Sequence, residues 1–531
     1  GACSEVEEPG DGGSGAGATG GVTAGSSSGG GGSSAGNAGA GVAGKGAAGV
    51  GGAAGRGSAG AAGVGGATTG GTAGSGAAAG EAASGASGSG GIAAGGAGAT
   101  AGSSAGGSGG VPPPGACAMT AERVRITEVE LGTEVVNDED EAALHPLAIS
   151  PKPSGGSRIA WMGEGDQVHV AELDAADQLV GDPIALPAHD FSDLYADDEG
   201  GVVLLTRDAE GGGTLNCGEP TNLCGTPPDP PIACYDMYLV RFDGATESWA
   251  TKLTNSSSSL PPYSTSSTGP DVFMIWWYAH HGRIASDGTN WAAYFGSAIS
   301  VSQEGCINIH QGDRMKVVTP DGSPGPGGFD WGCSHSGYER IVWDPAENEF
   351  VTVCKTDNNN RISFAPRYQT IRPVDLAYSN LGDIVLANGG GYWLTTSDIR
   401  EGEPAGMDGL ADVRLLHFTT GAADADIVVA APEGSNARAP HLAAYGSERL
   451  LAAWETSTQP GDLRSNDANR ALHVQTRSRT TGEAEGDPLT VDVRGNRYQE
   501  FRAFPDGSVA YPAPGSSRTS IRVLRVLPCS G

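Results

Sequence analysis

Five histidines, His145, His189, His281, His335 and His441, each lead into a short apolar run, and Asp375 and Glu500 stand at the two remaining equivalent places. If those runs are the inner strands of a ring of small sheets, the imidazoles and carboxylates gather around one mouth of a central channel. Imidazole nitrogens and carboxylate oxygens suit borderline divalent metals and polar ligands. His281 and His335 are the pair predicted to hold such an ion. The competing role for each histidine is structural, a hydrogen bond to the loop of a neighbouring strand. A second group is aromatic: Trp276, Trp277 and Tyr278 run directly into His280 and His281, and Phe329 and Trp331 precede His335 in the next connection. Aromatic faces beside a polar mouth stack on sugar rings or grip a partner's loop; the alternative is a tryptophan packed between sheets. The predicted ligand-binding set is therefore the five histidines with Trp276, Trp277, Tyr278 and Trp331.

Catalytic signatures are sparse. Within 117–531 no Gly-x-Ser-x-Gly, His-Glu-x-x-His or phosphate loop occurs. Glu164, Asp166 and Asp197 make a working carboxylate pair only if the fold brings them together. Asp357-Asn358-Asn359-Asn360 and the run from Asp138 to Glu141 offer oxygen ligands to Ca²⁺, but neither has the alternating spacing of an EF-hand loop, which points to solvated turns.

The elements that must position these residues are strands. The stretch from Trp331 to Asp357 reads as a hairpin: a strand near Tyr338–Trp343, a turn from Asp344 to Asn348, and a second strand at Phe350–Cys354. Pro and Asn interrupt the two runs where a turn needs them, and β-branched and aromatic residues fill the strands. The pattern recurs, degenerately, to the end of the chain. Middle strands are predicted at Arg158–Met162, Val202–Thr206, Trp291–Phe295, Phe350–Cys354, Asp383–Ala387, Arg449–Trp454 and Ser508–Pro512. Third strands follow at Gln167–Leu173, Asp236–Phe242, Asp313–Thr319, Arg361–Phe364, Val413–Thr419, Ala471–Arg477 and Ile521–Leu527. Seven such units at roughly 60 residues each predict an all-β, seven-bladed propeller, lengthened by insertions beyond the usual 40–50 residues. The insertions are expected at Ala209–Ala233 and Asn255–Val272. Val124–Leu131 alternates well and is predicted to be the outer strand of the last blade, which brings Cys117 to Cys529. Cys333 and Cys354, on the two arms of the hairpin, are the second predicted disulfide. Cys3 apart, the eight cysteines are an even, widely spaced set that fits disulfides in an oxidising compartment, and they lack the short pairs of a zinc site.

Ahead of this domain, 117–531, the composition changes. Gly accounts for 88 of the 531 residues and is concentrated before residue 112. Residues 12–116 have too little apolar surface to offset their ordering entropy and are expected to be a disordered Gly/Ala/Ser-rich linker, with a span on the order of 50–60 Å. The formal net charge is −31, which repels phosphate backbones and argues against a nucleic-acid partner. No run of eighteen apolar residues is present, so no membrane-spanning helix is expected.

Two resemblances follow. Gly1-Ala2-Cys3 resembles the end of a bacterial lipoprotein signal, which implies an acylated Cys3, residues 1–11 as a lipoprotein-like terminus, and a location in the cell envelope (outer membrane) or outside the cell. His145-Pro-Leu-Ala-Ile-Ser-Pro151 and Phe504-Pro-Asp-Gly-Ser508 resemble the TolB-type and WD40-like propeller repeats of bacterial envelope proteins, whose turn reads Ser-Pro-Asp-Gly. That resemblance implies a fold rather than an activity. The expected function is a monomeric, tethered binding protein for an envelope or extracellular protein or a glycan, with a divalent metal as the one cofactor considered. The alternatives are a secreted hydrolase or lyase using a His/carboxylate cluster at the channel mouth, and an envelope protein whose Gly/Ala segment does the work.

Overall fold

In a computed structural model, the chain is described over residues 117–529, apart from 137–144, 208–233, 255–271, 276–281, 304–305, 331, 334–337, 357–360, 366–368, 375–378, 405–407 and 461–469. Cys3, Trp276, Trp277, Tyr278, His281, Trp331 and His335 all lie outside the described residues, as do residues 1–116. Strand β1 (Val124–Glu130) comes first in sequence but belongs to the last blade. Blade 1 is β2 (Ala148–Pro151), β3 (Ser157–Gly163), β4 (Gln167–Leu173) and β5 (Leu179–Pro187). Blade 2 is β6 (Asp190–Ala196), β7 (Gly200–Arg207), β8 (Cys234–Asp243) and β9 (Thr246–Lys252). A short strand, β10 (Val272–Ile275), precedes blade 3, which is β11 (Arg283–Ser286), β12 (Trp291–Gln303) and β13 (Cys306–Val318). Blade 4 is β14 (Glu339–Asp344), β15 (Glu349–Thr356), β16 (Arg361–Ala365) and β17 (Gln369–Pro373). Blade 5 is β18 (Asn380–Leu386), β19 (Tyr392–Ile399), β20 (Ala411–Phe418) and β21 (Ala425–Ala430). Blade 6 is β22 (Asn436–Tyr445), β23 (Arg449–Ser457), β24 (Ala471–Ser478) and β25 (Leu489–Val491). Blade 7 is β26 (Arg502–Ala503), β27 (Val509–Pro514), β28 (Ser520–Val526) and, outermost, β1.

Every pairing within a blade is antiparallel, and the inner strands meet in the order β2, β6, β11, β14, β18, β22, β26 and back to β2. The all-β, seven-bladed propeller expected from the repeats is thus what the chain forms. Closure works as the sequence suggested: β1 pairs with β28 from Val124 opposite Val526 to Glu130 opposite Ser520, and Cys117 is bonded to Cys529, their Cα atoms 6.0 Å apart. Cys333 and Cys354 form the second predicted disulfide.

Alternation dictates where the cores lie. Side chains of period two from facing blades fill the gaps between sheets, so each apolar cluster belongs to a pair of blades rather than to one. Val168, Val170 and Met162 of blade 1, for example, pack against Phe191, Leu205 and Phe242 of blade 2. A less visible repeat runs along the second and third strands. Trp161 stands opposite His169 and stacks on it (centroids 5.4 Å apart), and Trp454 stands opposite and stacks on His473 (5.6 Å).

Two expectations need correction. Asp383–Ala387 is not a middle strand: Asn380–Leu386 is the inner strand of blade 5, and Tyr392–Ile399 is its neighbour. The inner strand is buried on both sides and so reads like a central one. The second correction concerns blade 3, where β12 and β13 are thirteen residues each, far longer than the predicted segments. Strand β10 pairs with β12 at Ile299 and Ala298 and with β8 at Tyr235 and Cys234, lacing blades 2 and 3 into one sheet.

Candidate functional site

An inner strand, its return, and two further antiparallel strands place the connection into each blade and the turn between second and third strands at one end of the ring. This upper face collects the residues leading into β2 and β6, the β3–β4 turn, the start of β8, the tip of the β12–β13 hairpin, and β10.

The channel beneath that face is filled by the chain itself. The connection from blade 6 to blade 7 turns inward, so that Asn496, Arg497, Tyr498 and Gln499 are buried. Gln499 accepts a hydrogen bond from the Leu147 amide (3.0 Å) and donates to the Pro512 carbonyl (2.8 Å), while Tyr498 stacks on Tyr338 with centroids 6.0 Å apart. Below this segment is an ionic network. Arg502 meets both oxygens of Asp193 at 2.5 Å and Glu500 at 2.8 Å, and Arg283 meets Glu500 at 2.5 Å. Asp193 also accepts from the Ile284 amide of the next blade (2.8 Å), so the network stitches neighbouring inner strands together. Burial, against the pull of Arg502 and Arg283, raises the Glu500 carboxyl above its usual range. On the far side, burial works to raise Asp383, but the imidazole of His441 and the guanidinium of Arg340 outweigh it and hold the carboxyl low. Arg340 itself is drawn down to about 10, chiefly by burial and secondly by Arg283. The cavity left among Leu147, Asp193, Arg283, Tyr498, Glu500 and Arg502 is about 10 Å³, room for about one water.

The histidines separate accordingly. His441 is not at the mouth. It sits within β22, 0% exposed, between Phe501 and Tyr511 and 3.6 Å from Asp383, because an irregularity between Arg438 and His441, with Ala439 at φ +46°, turns it into the wall. His145 and His189 do lie on the upper face, where blades 1 and 2 meet. His145 Nδ1 is 3.0 Å from Asp190 Oδ1, which also accepts from the Phe191 amide (2.7 Å). His189 packs its ring on Tyr235 (centroids 4.5 Å apart) and turns Nδ1 towards Asp166 at 3.8 Å. Burial, then Asp190 and Asp166, push the Tyr235 phenol up to about 12. Asp166 was a candidate only as one of a carboxylate pair; the side chain it faces is an imidazole, at 3.8 Å. Asp190 and Tyr235 carry no sequence signal, since each is the first or second residue of an ordinary strand. Asp197, another of the sequence candidates, is spent on Arg241 (3.2 Å).

Among the described residues, one group brings three metal-ligating side chains together: Asp313, Cys333 and Cys354. Both sulfurs there are committed to the disulfide. The metal pair proposed from sequence, His281 and His335, is outside the described residues.

No family model matches this chain, and no curated protein does. Among solved structures it is similar to an α-L-arabinanase of Penicillium chrysogenum complexed with arabinobiose (10% identity, TM-score 0.35, 76% of this chain and 98% of that one). It is also similar to a GH93 α-L-arabinofuranosidase of Fusarium graminearum (10%, TM-score 0.37, 76% and 98%) and to a PL25 ulvan lyase (12%, TM-score 0.37, 75% and 95%). At such identities the likeness concerns fold alone.

Proposed function

We propose that this chain is a binding protein that displays its propeller on the Gly-rich segment and recognises a glycan or a protein with its upper face. One observation carries the reading: the channel is stopped by the chain's own residues 496–500 and the Arg–carboxylate network, which leaves the polar and aromatic groups of the rim as the recognition surface. Buried charges held in pairs fix a rigid ring, and a rigid ring presents its connections without an ordering cost. Cys3 is the proposed site of lipid attachment, which would place the protein in the cell envelope. Trp276, Trp277 and Tyr278, which directly follow β10, are proposed contact residues. The test is a glycan array combined with cross-linking capture, run on the chain and on a Trp276→Ala/Trp277→Ala variant of unchanged thermal midpoint. Loss of capture or of array signal in the variant supports the reading; binding of neither kind by the parent chain overturns it.

A second reading, a hydrolase or lyase, is favoured by the hydrogen bond between His145 and Asp190 beside His189 and Tyr235, groups that can pass a proton to or from a substrate oxygen. Release of reducing ends or unsaturated products from a polysaccharide panel, abolished by His145→Gln, is its expected signature.

A further inference from the structure

Four segments converge at the upper seam of blades 1 and 2: the residues leading into β2, the β3–β4 turn, the start of β6 and the start of β8. They bring His145, Asp166, His189, Asp190 and Tyr235 together. We propose that this seam is a subsite for an uncharged, hydroxyl-bearing ligand, a neutral sugar residue, with one hydroxyl seated between His189 and Asp166. The inference rests on the binding reading above and names the ligand class and the residues.

The hydrogen-bonding pattern is incomplete as it stands. The His189 side chain is only 10% exposed, and its Nε2 is buried with no hydrogen-bond partner among the described residues. Its Nδ1 faces Asp166 Oδ1 at 3.8 Å, beyond the reach of a direct hydrogen bond. A hydroxyl oxygen about 2.8 Å from each atom would subtend about 85° between them, accepting from the imidazole N–H and donating to the carboxylate. An apolar group could do neither, and a carboxylate or sulfate oxygen could not donate. A hydroxyl so placed bridges Nδ1 and Asp166, while Nε2, on the other side of the ring, takes no part in the contact.

Charge selects in the same direction. Burial first, then Asp190 and Asp166 (72% exposed at the tip of its turn), keep the Tyr235 phenol protonated, so that it is a hydrogen-bond donor within a negative field. An acidic sugar would be repelled there. A metal ion would find two groups within its span, His189 and Asp166, because no third metal-ligating side chain among the described residues lies close enough to both.

The test uses the full chain, titrated calorimetrically with neutral oligosaccharides and with uronate- or sulfate-bearing ones, with and without a chelator. Asp166→Asn, His189→Gln and Tyr235→Phe are measured alongside. Neutral ligands alone should bind, chelation should change nothing, and Asp166→Asn and His189→Gln should each weaken binding at least tenfold. Asp166 is exposed, so Asp166→Asn leaves the fold intact and decides even where His189→Gln unfolds. Preference for acidic glycans, full affinity in Asp166→Asn, or loss of binding on chelation each overturns the subsite while leaving the binding reading in place. Failure to bind any glycan, with a protein still captured by cross-linking, overturns the subsite alone; failure of both removes the two proposals together.

Discussion

Replacing Cys117 and Cys529 together by Ala should cost more stability than replacing Cys333 and Cys354. In the chain-entropy description, a disulfide stabilises by restricting the unfolded chain, and the restriction grows with the logarithm of the loop it closes. The ring-closing pair spans 412 residues and the hairpin pair 21. These spans correspond to about 6 and about 3.3 kcal/mol, a difference of about 2.6 kcal/mol. Packing works the other way. Cys333 and Cys354 are both buried, whereas of the other pair only Cys117 is. The extra lost sulfur contact returns on the order of 1 kcal/mol to the hairpin pair. A margin of about 1.5 kcal/mol therefore remains, to be read from urea unfolding of the two double variants by linear extrapolation. The ring-closing variant should also show the larger rise in m, because its unfolded chain is freed to expand. Equal costs, or a greater cost for the hairpin pair, would refute the entropic reasoning and assign closure to the β1–β28 pairing instead.

Arg502→Met should destabilise by about 3–5 kcal/mol in chemical denaturation, because it leaves the buried Asp193 carboxylate without its cation, whereas Glu500 keeps Arg283; a change under 1 kcal/mol would mean that water reaches the channel. Gly200→Ala should cost about 2–3 kcal/mol, since a Cβ there would lie 1.8 Å from the Phe242 carbonyl oxygen across the β7–β8 pair, and an unchanged thermal midpoint would count against that register. His169 and His473 are both held below their ordinary value of 6.5 by burial, so the fold prefers them neutral. The unfolded chain then binds more protons, and the stability they contribute is complete above pH 6.5 and falls away as pH drops below it towards their folded values. A His169→Gln/His473→Gln variant should flatten the dependence of stability on pH across that acid range, and an unchanged slope would contradict the assignment.

The repeat was legible because its cause is local. Alternation marks a strand wherever one face is buried, and Val124–Leu131 announced itself as an unpaired strand by the same rule. The cysteine pairs were legible because their positions followed from the repeat. Blade 5 was misread because Asn380–Leu386 is buried on both sides, as the middle strands are, so its pattern does not tell the two apart. His441 was misplaced because an irregular pairing in β22 cannot be seen in composition. The plug at 496–499 gave no signal: Asn, Arg, Tyr and Gln in a connection look like a solvated loop until seven strands surround them. His145 and His189 were placed from the repeat alone, whereas Asp190 and Tyr235 come beside them only where two blades meet.

The outermost strand of the last blade is the first to be made. Until Ser520–Val526 emerges, Val124–Glu130 has no edge to lie against, and blade 7 has only the short β26 and β27. A chain stopped at residue 519 would thus forfeit two strands rather than one, along with the partner of Cys117. Completion of the ring waits for the third strand of the last blade, and termination before it should yield no partly useful propeller.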